Sequence, residues 1–352
     1  MLKKIAPLIR IFISFGLLVL LFWIMRRDAQ GIVRIISDCD FKYIFIAAGL
    51  ILVNVVMLSY RFKIIFLGEN LTVNLWEALQ LTLIGYFFNN FMPTAVGGDI
   101  VKGHYASIFT DNKRLKAFAS VLMDRFIGLY TFLVVAAAAV LIDRGRSNLS
   151  AVRPLVILFL TLGVVVFFIA VNRSVARWME KIFRRFKMFR LGERLNAVYN
   201  IVHDYRNRKD VILKSFLISV ISQSIYFVAI YFFFLALGKT VSLGNIFLVM
   251  PVVTFVSMIP SIGGLGVREG AIVAFFAPMA GKEEAFAVSL LVLSGLIFMS
   301  LLGGIVYLWW GMSGTLNRVR DRSILDHGEE EFTSGFGNVE SKTSAGKIKG
   351  TE

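Results

Sequence analysis

The chain has 352 residues, of which 57% are hydrophobic, and its formal net charge at pH 7 is +15. Together with a mean hydropathy of +0.74, this composition excludes a soluble globular domain. Four runs of 18 to 26 residues carry no charged side chain, and about 20 such residues cross the hydrocarbon core of a bilayer as a helix. These runs are 43–60, 154–172, 215–238 and 285–310. We therefore predict an all-α polytopic membrane protein.

The N-terminal segment resembles a signal peptide, because three basic residues precede the apolar run 11–25. However, Arg26, Arg27 and Asp28 stand where a signal peptide has small residues for cleavage, so we predict an uncleaved first span. About six full spans are predicted along the chain, at 8–25, 41–66, 118–142, 154–172, 212–238 and 284–310.

The positive charge is concentrated in one predicted loop, since twelve Lys/Arg and only four Asp/Glu lie in 173–214. Basic loops beside spans are typical of the cytoplasmic side, and this loop could also contact anionic lipids. The charge thus indicates a membrane and not a nucleic-acid partner. With the loop at 173–211 inside, the parity of the spans places both termini in the cytoplasm, although Arg26, Arg27 and Arg34 then fall outside.

The distribution of apolar residues divides the chain into two predicted domains. Residues 1–312 are predicted to form the membrane-embedded domain, in the inner or plasma membrane. From 313 to 352 the sequence consists mainly of Gly, Ser, Thr and charged residues, which cannot bury a core, so we expect a disordered cytoplasmic tail.

Two similar segments interrupt the apolar sequence. Residues 92–103 read MPTAVGGDIVKG and residues 259–270 read IPSIGGLGVREG, each with a proline, a hydroxyl residue, a Gly-Gly pair and charged residues. By parity, 75–105 begins and ends inside, and it is short for two full crossings, whereas 240–283 begins and ends outside. We predict two opposed re-entrant hairpins, a pattern typical of an inverted repeat with a midplane site. Two ordinary Pro/Gly kinks are the alternative.

Six charged residues lie in or beside apolar segments, and charges at membrane depth must pair, reach the interface or face water. Asp124 and Arg125 are adjacent on a predicted helix, about 100° apart, so they point to different neighbours. We expect Arg125 to reach Asp99 or Glu269. For Asp124, the expected partner is Lys102 or Arg268.

These charges allow two interpretations: ion pairs that only hold the fold, or a hydrated cavity for an anionic headgroup. The glycines favour the cavity, because glycine lets backbone N–H groups approach a ligand closely. Helix N-termini after Gly97-Gly98 and Gly263-Gly264 would direct partial positive charge at a phosphate. Lys102 and Arg268 would add full charges.

Other chemical signals are weak. The three histidines have no metal-ligand spacing, and only His104, a candidate proton relay, is near the first break. The pair of acids around Cys39 could belong to a lipid-linked sugar transferase or to an ordinary interfacial loop. No dinucleotide fingerprint is present around Gly264. We predict neither a cofactor nor a metal.

The segments MPTAVGGDIVKG, DRFIG at 124–128 and PSIGGLGVREGA together resemble the lysyl-phosphatidylglycerol synthase/flippase transmembrane family, over roughly 8–312. SYRFKIIF at 59–66 resembles the Arg-containing end of that family's second span. The resemblance implies a membrane-embedded unit that handles lipids, in some members fused to a soluble aminoacyl-transferase domain. The sequence after Gly314 is too short for such a domain, so we do not expect lysyltransferase activity.

We therefore expect a protein that moves or holds an anionic phospholipid or a polyprenyl-phosphate carrier and that is not itself an enzyme. The alternatives are a membrane transferase with Asp99 or Glu269 as base, and a non-transporting partner of an envelope enzyme. Association into a homo-oligomer stays open. The candidate substrate-binding residues are Arg61, Asn89, Asn90, Pro93, Gly97, Gly98, Asp99, Lys102, His104, Asp124, Arg125, Pro260, Gly263, Gly264, Arg268 and Glu269.

The predicted sidedness can be tested by cysteine labelling. Positions 145 and 240 should be accessible from outside, and positions 113 and 190 only from inside, because the basic loop fixes the parity of the spans. Labelling of position 190 from outside would overturn the whole topology.

Overall fold

The computed structural model describes residues 38–91, 97–108, 113–143, 154–158, 160–163, 208–259 and 264–312. Within these residues the labelled elements are eight α-helices, and there is no strand. A short apolar helix, Pro154–Gly163, lies between α4 and α5. The labelled helices are α1 Phe41–Gly68, α2 Leu75–Phe91, α3 Gly97–Ile108, α4 Arg114–Asp143, α5 Lys209–Ala236, α6 Leu243–Val256, α7 Val267–Ala280 and α8 Lys282–Met312.

The chain divides into two compact units, Met1–Gly304 and Ile305–Glu352. The first unit contains α1 to α7 and most of α8. Of the second unit, the described part is the end of α8.

In the part of the chain that the structure describes, four helices are long and apolar enough to cross a membrane: α1, α4, α5 and α8. They confirm four of the predicted spans. The bounds of these helices differ from the predicted spans by at most four residues. The predicted span 8–25 and the tail lie outside the described residues. The predicted span 154–172 and the basic loop lie there for the most part, although α5 already begins at Lys209.

Local hydrogen bonds fix where the first two helices start. Asp40 precedes α1, and its Oδ1 accepts the backbone N–H of Lys42 at 2.9 Å. Asn74 precedes α2 and forms a reciprocal pair with Glu77. The Glu77 N–H donates to Asn74 Oδ1 at 2.8 Å, and the Asn74 N–H donates to Glu77 Oε2 at 2.7 Å. This capping box satisfies two backbone donors that a helix start leaves open.

Both sequence interruptions coincide with helix ends. Helix α2 has 17 residues and α3 has 12, while α6 and α7 have 14 each. At 1.5 Å per residue these lengths are about 26, 18, 21 and 21 Å. Helix α2 packs on α3, and α6 packs on α7. Pro93, Pro260 and Gly263 lie outside the described residues.

Helix α5 is central to the packing. It lies along α1 in the most extensive contact between labelled helices, and it also packs on α4 and α6. The rings of Phe234 in α5 and Phe276 in α7 are 5.0 Å apart, and both side chains are fully buried. Asn54 of α1 donates to Ser222 of α5, at 2.7 Å to the carbonyl oxygen and 2.8 Å to the hydroxyl. A polar contact thus supplements apolar burial between α1 and α5.

Two glycines in long helices give a matched test of packing. A Cβ added to Gly303 of α8 would collide with the carbonyl oxygen of Leu83, whereas one added to Gly49 of α1 would meet no atom within 4 Å. We expect Gly303→Ala to lower the free energy of unfolding by about 1–3 kcal/mol, as overpacking does. Gly49→Ala should leave it unchanged or raise it slightly, because alanine favours helix. Thermal unfolding of the two purified variants, compared with the parent, measures the difference. Equal stability of both variants would contradict this packing.

Candidate functional site

Five charged side chains from α1, α3 and α4 form what we call the charge cluster: Arg61, Asp99, Lys102, Asp124 and Arg125. Asp124 Oδ1 accepts a hydrogen bond from Arg61 Nε at 2.8 Å, and Asp124 Oδ2 lies 3.6 Å from Lys102 Nζ. Arg125 Nε donates to Asp99 Oδ2 at 2.5 Å. The predicted pairs of Asp124 with Lys102 and of Arg125 with Asp99 are confirmed.

The two neighbours Asp124 and Arg125 point in different directions, as the helical angle between them requires. The Asp124 side chain is 11% exposed and turns toward α1 and α3. The Arg125 side chain is 44% exposed. The pair of Asp124 and Arg61 is therefore inside the helix packing, and the pair of Arg125 and Asp99 lies at its edge.

Arg61 is the partner of Asp124 that the sequence did not predict. Arg61 lies within α1, as the predicted span 41–66 requires, and its side chain is 7% exposed. Its Nη1 also donates to Ser219 Oγ of α5 at 2.7 Å. A Cβ on Gly128 of α4 would lie only 3.3 Å from the same Nη1, so the glycine leaves room for the guanidinium. The one available signal was SYRFKIIF, where a single arginine precedes further apolar residues.

Lys102 of α3 is buried, and its ammonium is held less firmly than the two guanidinium groups. Its Nζ lies 3.5 Å from the centroid of the Phe62 ring, a cation–π contact. The 3.6 Å separation from Asp124 Oδ2 is longer than a hydrogen bond. No hydrogen bond from Nζ to another described residue is present.

The start of α3 uses a glycine for close packing. The Gly98 N–H donates to Asn89 Oδ1 of α2 at 3.1 Å, and a Cβ on Gly98 would collide with the carbonyl oxygen of Gly85. Asn90 donates instead to the carbonyl oxygen of Leu296 at 3.3 Å. Asn89 and Gly98 therefore join α2 to α3, and one of the N–H groups expected to face a phosphate already has a partner within the chain.

The start of α7 is also occupied by a group of the chain itself. Gly264 and Gly266 both have φ +80°, a left-handed conformation that favours glycine. Glu269 is fully buried, and its Oε2 accepts the Gly266 N–H at 2.6 Å. Its Oε1 accepts from Arg268 at 2.8 and 3.1 Å.

This arrangement corrects two expectations. Arg268 pairs with its neighbour Glu269 and not with Asp124, because a carboxylate at the third residue of a helix can turn back to the helix start. The carboxylate also takes the position at the N-terminus of α7 that was expected to receive a phosphate. A phosphate there would have to displace Glu269.

His104 does not join the charge cluster. It follows Lys102 by two residues, about 200° around α3, and it is exposed. Its ring packs edge-on against Tyr105 at 5.4 Å.

A cavity is lined by residues of α1, α2, α5 and α8. Its lining includes Asn54, Tyr86 and Tyr226. Tyr86 is within electrostatic reach of three members of the charge cluster, and Tyr226 is within reach of Arg268 and Glu269. Sequence reasoning missed both tyrosines, because a tyrosine in an apolar helix has many ordinary explanations.

The sequence can now be compared with known proteins. Residues 8–304 match the family described as the lysylphosphatidylglycerol synthase TM region. A UPF0104 membrane protein of Pyrococcus horikoshii is 27% identical over 83% of this chain and 93% of its own length. A UPF0104 membrane protein of Methanothermobacter thermautotrophicus is 25% identical over 82% of this chain and 90% of its own length. No solved structure matches.

The two acidic residues of the charge cluster give a test of its energetics. Asp124→Asn leaves Arg61 and Lys102 without their carboxylate, and breaking a buried pair typically costs about 3–5 kcal/mol. Asp99→Asn should cost less, because the side chain of its partner Arg125 is 44% exposed, whereas those of Arg61 and Lys102 are 7% and 9% exposed. Thermal unfolding in detergent compares the two isosteric variants. An equal loss in both would contradict the burial difference.

Proposed function

Because the chain belongs to the family of the lysylphosphatidylglycerol synthase transmembrane region, we propose that it is a membrane transporter that binds an anionic lipid headgroup at the charge cluster. The headgroup would be that of a phospholipid or of a polyprenyl phosphate. The observation that carries this proposal is the composition of the cluster, in which three cationic side chains face two carboxylates.

The charges of the cluster do not cancel. Asp124 faces Arg61 and Lys102, and Asp99 faces Arg125, so Lys102, when it is protonated, has no counter-charge of its own in the cluster. An uncompensated charge at membrane depth costs about 2.5–3.5 kcal/mol on insertion scales. A bound phosphodiester would supply the missing negative charge and lower that cost. Pairs that only held the fold would need no third cation.

The architecture that accompanies this function has six full spans and two re-entrant hairpins, α2 with α3 and α6 with α7. Each of these four helices is shorter than the roughly 30 Å of the hydrocarbon core. In this proposal the hairpins enter from opposite faces of the cell membrane, both termini are cytoplasmic, and residues 313–352 form a tail.

A correspondence between the two hairpins supports an inverted repeat. Asp99 is the third residue of α3, and Glu269 is the third residue of α7. Each carboxylate pairs with an arginine, Arg125 or Arg268. The second helix of each hairpin therefore begins with the same chemistry, as two copies of one unit would.

A membrane transferase remains the rival function, with Asp99 or Glu269 as the base. In the structure both carboxylates are engaged in ion pairs with arginine, and Glu269 is fully buried. A general base must reach the proton that it takes up. These contacts favour the transporter, since Glu269 is closed to a substrate and Asp99 would have to leave Arg125 before it could act as a base.

Lys102→Met tests the anion site while leaving the pair of Arg61 and Asp124 in place. It removes the third cation, so we expect anionic lipid to bind at least about tenfold more weakly than to the parent, a difference of about 1.4 kcal/mol. Native mass spectrometry of the purified protein with phosphatidylglycerol and with zwitterionic phosphatidylcholine measures the change. Lys116→Met is the matched control, because Lys116 pairs with Glu69 outside the cluster.

Reconstitution separates the two functions. A transporter redistributes unmodified lipid between the leaflets of a vesicle, whereas a transferase forms product from lipid and donor. Equal binding of phosphatidylglycerol by a folded Lys102→Met variant and the parent would show that the charge cluster is structural.

A further inference from the structure

The charge count of the cluster singles out Lys102. Its neighbours Arg61 and Arg125 are always charged, because a guanidinium does not lose its proton in proteins. Asp124 and Asp99 each accept a hydrogen bond from one of these arginines. The two arginines and the two carboxylates cancel. Whether the cluster is neutral or carries one positive charge depends on Lys102 alone.

Of the three cationic side chains in the charge cluster, Lys102 has the weakest contacts with groups that stabilise its positive charge. Burial disfavours the charged form of a lysine, and buried lysines can be neutral near pH 7. The carboxylate at 3.6 Å and the Phe62 ring at 3.5 Å favour the ammonium, but no described residue accepts a hydrogen bond from it. Burial thus opposes the ammonium in the empty cluster, and a bound anion would favour it.

The surroundings of Lys102 contain few other groups that could titrate in its place. The charged groups that face it are Asp124 and Arg125 from α4, Asp99 on α3 and Arg61 from α1. Helix α2 contributes Gly85, whose added Cβ would lie 3.6 Å from Lys102 Cδ. The phenol of Tyr86, also in α2, is within electrostatic reach of the cluster but loses its proton only far above pH 7.

We propose that Lys102 takes up one proton when an anionic headgroup binds and releases it when the headgroup leaves, so that lipid movement is coupled to protons. This inference rests on the proposed function. On binding, the neutral amine accepts a proton from water and becomes an ammonium, which pairs with the single negative charge of a phosphodiester. On release, the proton returns to the aqueous side that the site then faces. The lipid and the proton cross together, and no net charge moves.

Calorimetry of the purified full-length chain in detergent micelles can count this proton. The probe is dioctanoyl phosphatidylglycerol, a phosphodiester whose charge does not change near neutral pH. Titration at pH 8 in buffers of different ionisation enthalpy gives the number of protons taken up per lipid from the slope of the observed enthalpy. We expect about one for the parent and about zero for Lys102→Arg, whose guanidinium is already charged. The Lys116→Arg control should retain the parent's slope.

The affinity provides a second readout. A single linked proton makes the parent's affinity fall about tenfold per pH unit once Lys102 is neutral in the empty site. The affinity of Lys102→Arg should not follow this fall. If that variant does not fold, Lys102→Met should bind weakly at every pH without proton uptake, and uptake that persisted in it would overturn the assignment.

The remaining outcomes separate this inference from the function on which it rests. Lipid binding by the parent without proton uptake would overturn the coupling and leave the anion site intact. If the parent did not bind the lipid at all, both the proton coupling and the anion site would be overturned. A parallel titration with a short polyprenyl phosphate identifies the lipid class by affinity. There the uptake due to Lys102 is the difference between parent and Lys102→Arg, because a phosphate monoester itself titrates near neutral pH.

Discussion

The carboxylate of Asp124 is the group on which the described arrangement depends. A charge surrounded by apolar helices must be paired, and Asp124 of α4 finds Arg61 on α1 and Lys102 on α3. Arg61 in turn bonds Ser219 on α5. Four helices are therefore connected through one buried anion. Because hydrogen bonds and ion pairs are directional, they restrict the orientation of these helices more than apolar contacts do.

Charged side chains lie together at the start of α7 and at the start of α3, and the carboxylates find their partners in different ways at the two places. At the start of α7, Glu269 is satisfied within its own helix turn, by Gly266 and Arg268. At α3, Asp99 pairs with Arg125 from another helix, and Lys102 three residues later enters the packing. The first arrangement is closed, since its carboxylate has partners on both oxygens. The second has one cation more than it has anions, and the proposed ligand site is for that reason at the charge cluster.

Much of the fold could be predicted because uncharged length alone identifies a span. The runs that became α1, α5 and α8 needed no knowledge of neighbours. The separation of Asp124 from Arg125 followed from the angle between adjacent helix residues. The partner of Arg61 could not be predicted in this way, because an arginine near the end of a span can turn either to the interface or to a buried acid. Only the position of Asp124 on α4 decides between the two. The local bond of Glu269 could not be predicted for a different reason: charges at membrane depth were expected to pair across segments, whereas the helix start offered a nearer partner.

In the proposed transport site, a lysine at position 102 meets a requirement that an arginine or a neutral side chain would not meet. An arginine there would hold a permanent positive charge, so the cluster without ligand would always lack a counter-ion and the bound anion would be retained strongly. A neutral side chain would leave Arg61 and Arg125 fully occupied by Asp124 and Asp99, with no charge for a ligand. A lysine with loose partners can be neutral when the site is empty and charged when it is full. Lys102 then carries its charge only while a bound anion offsets the free-energy cost of that charge. Both binding and release are therefore accessible near neutral pH.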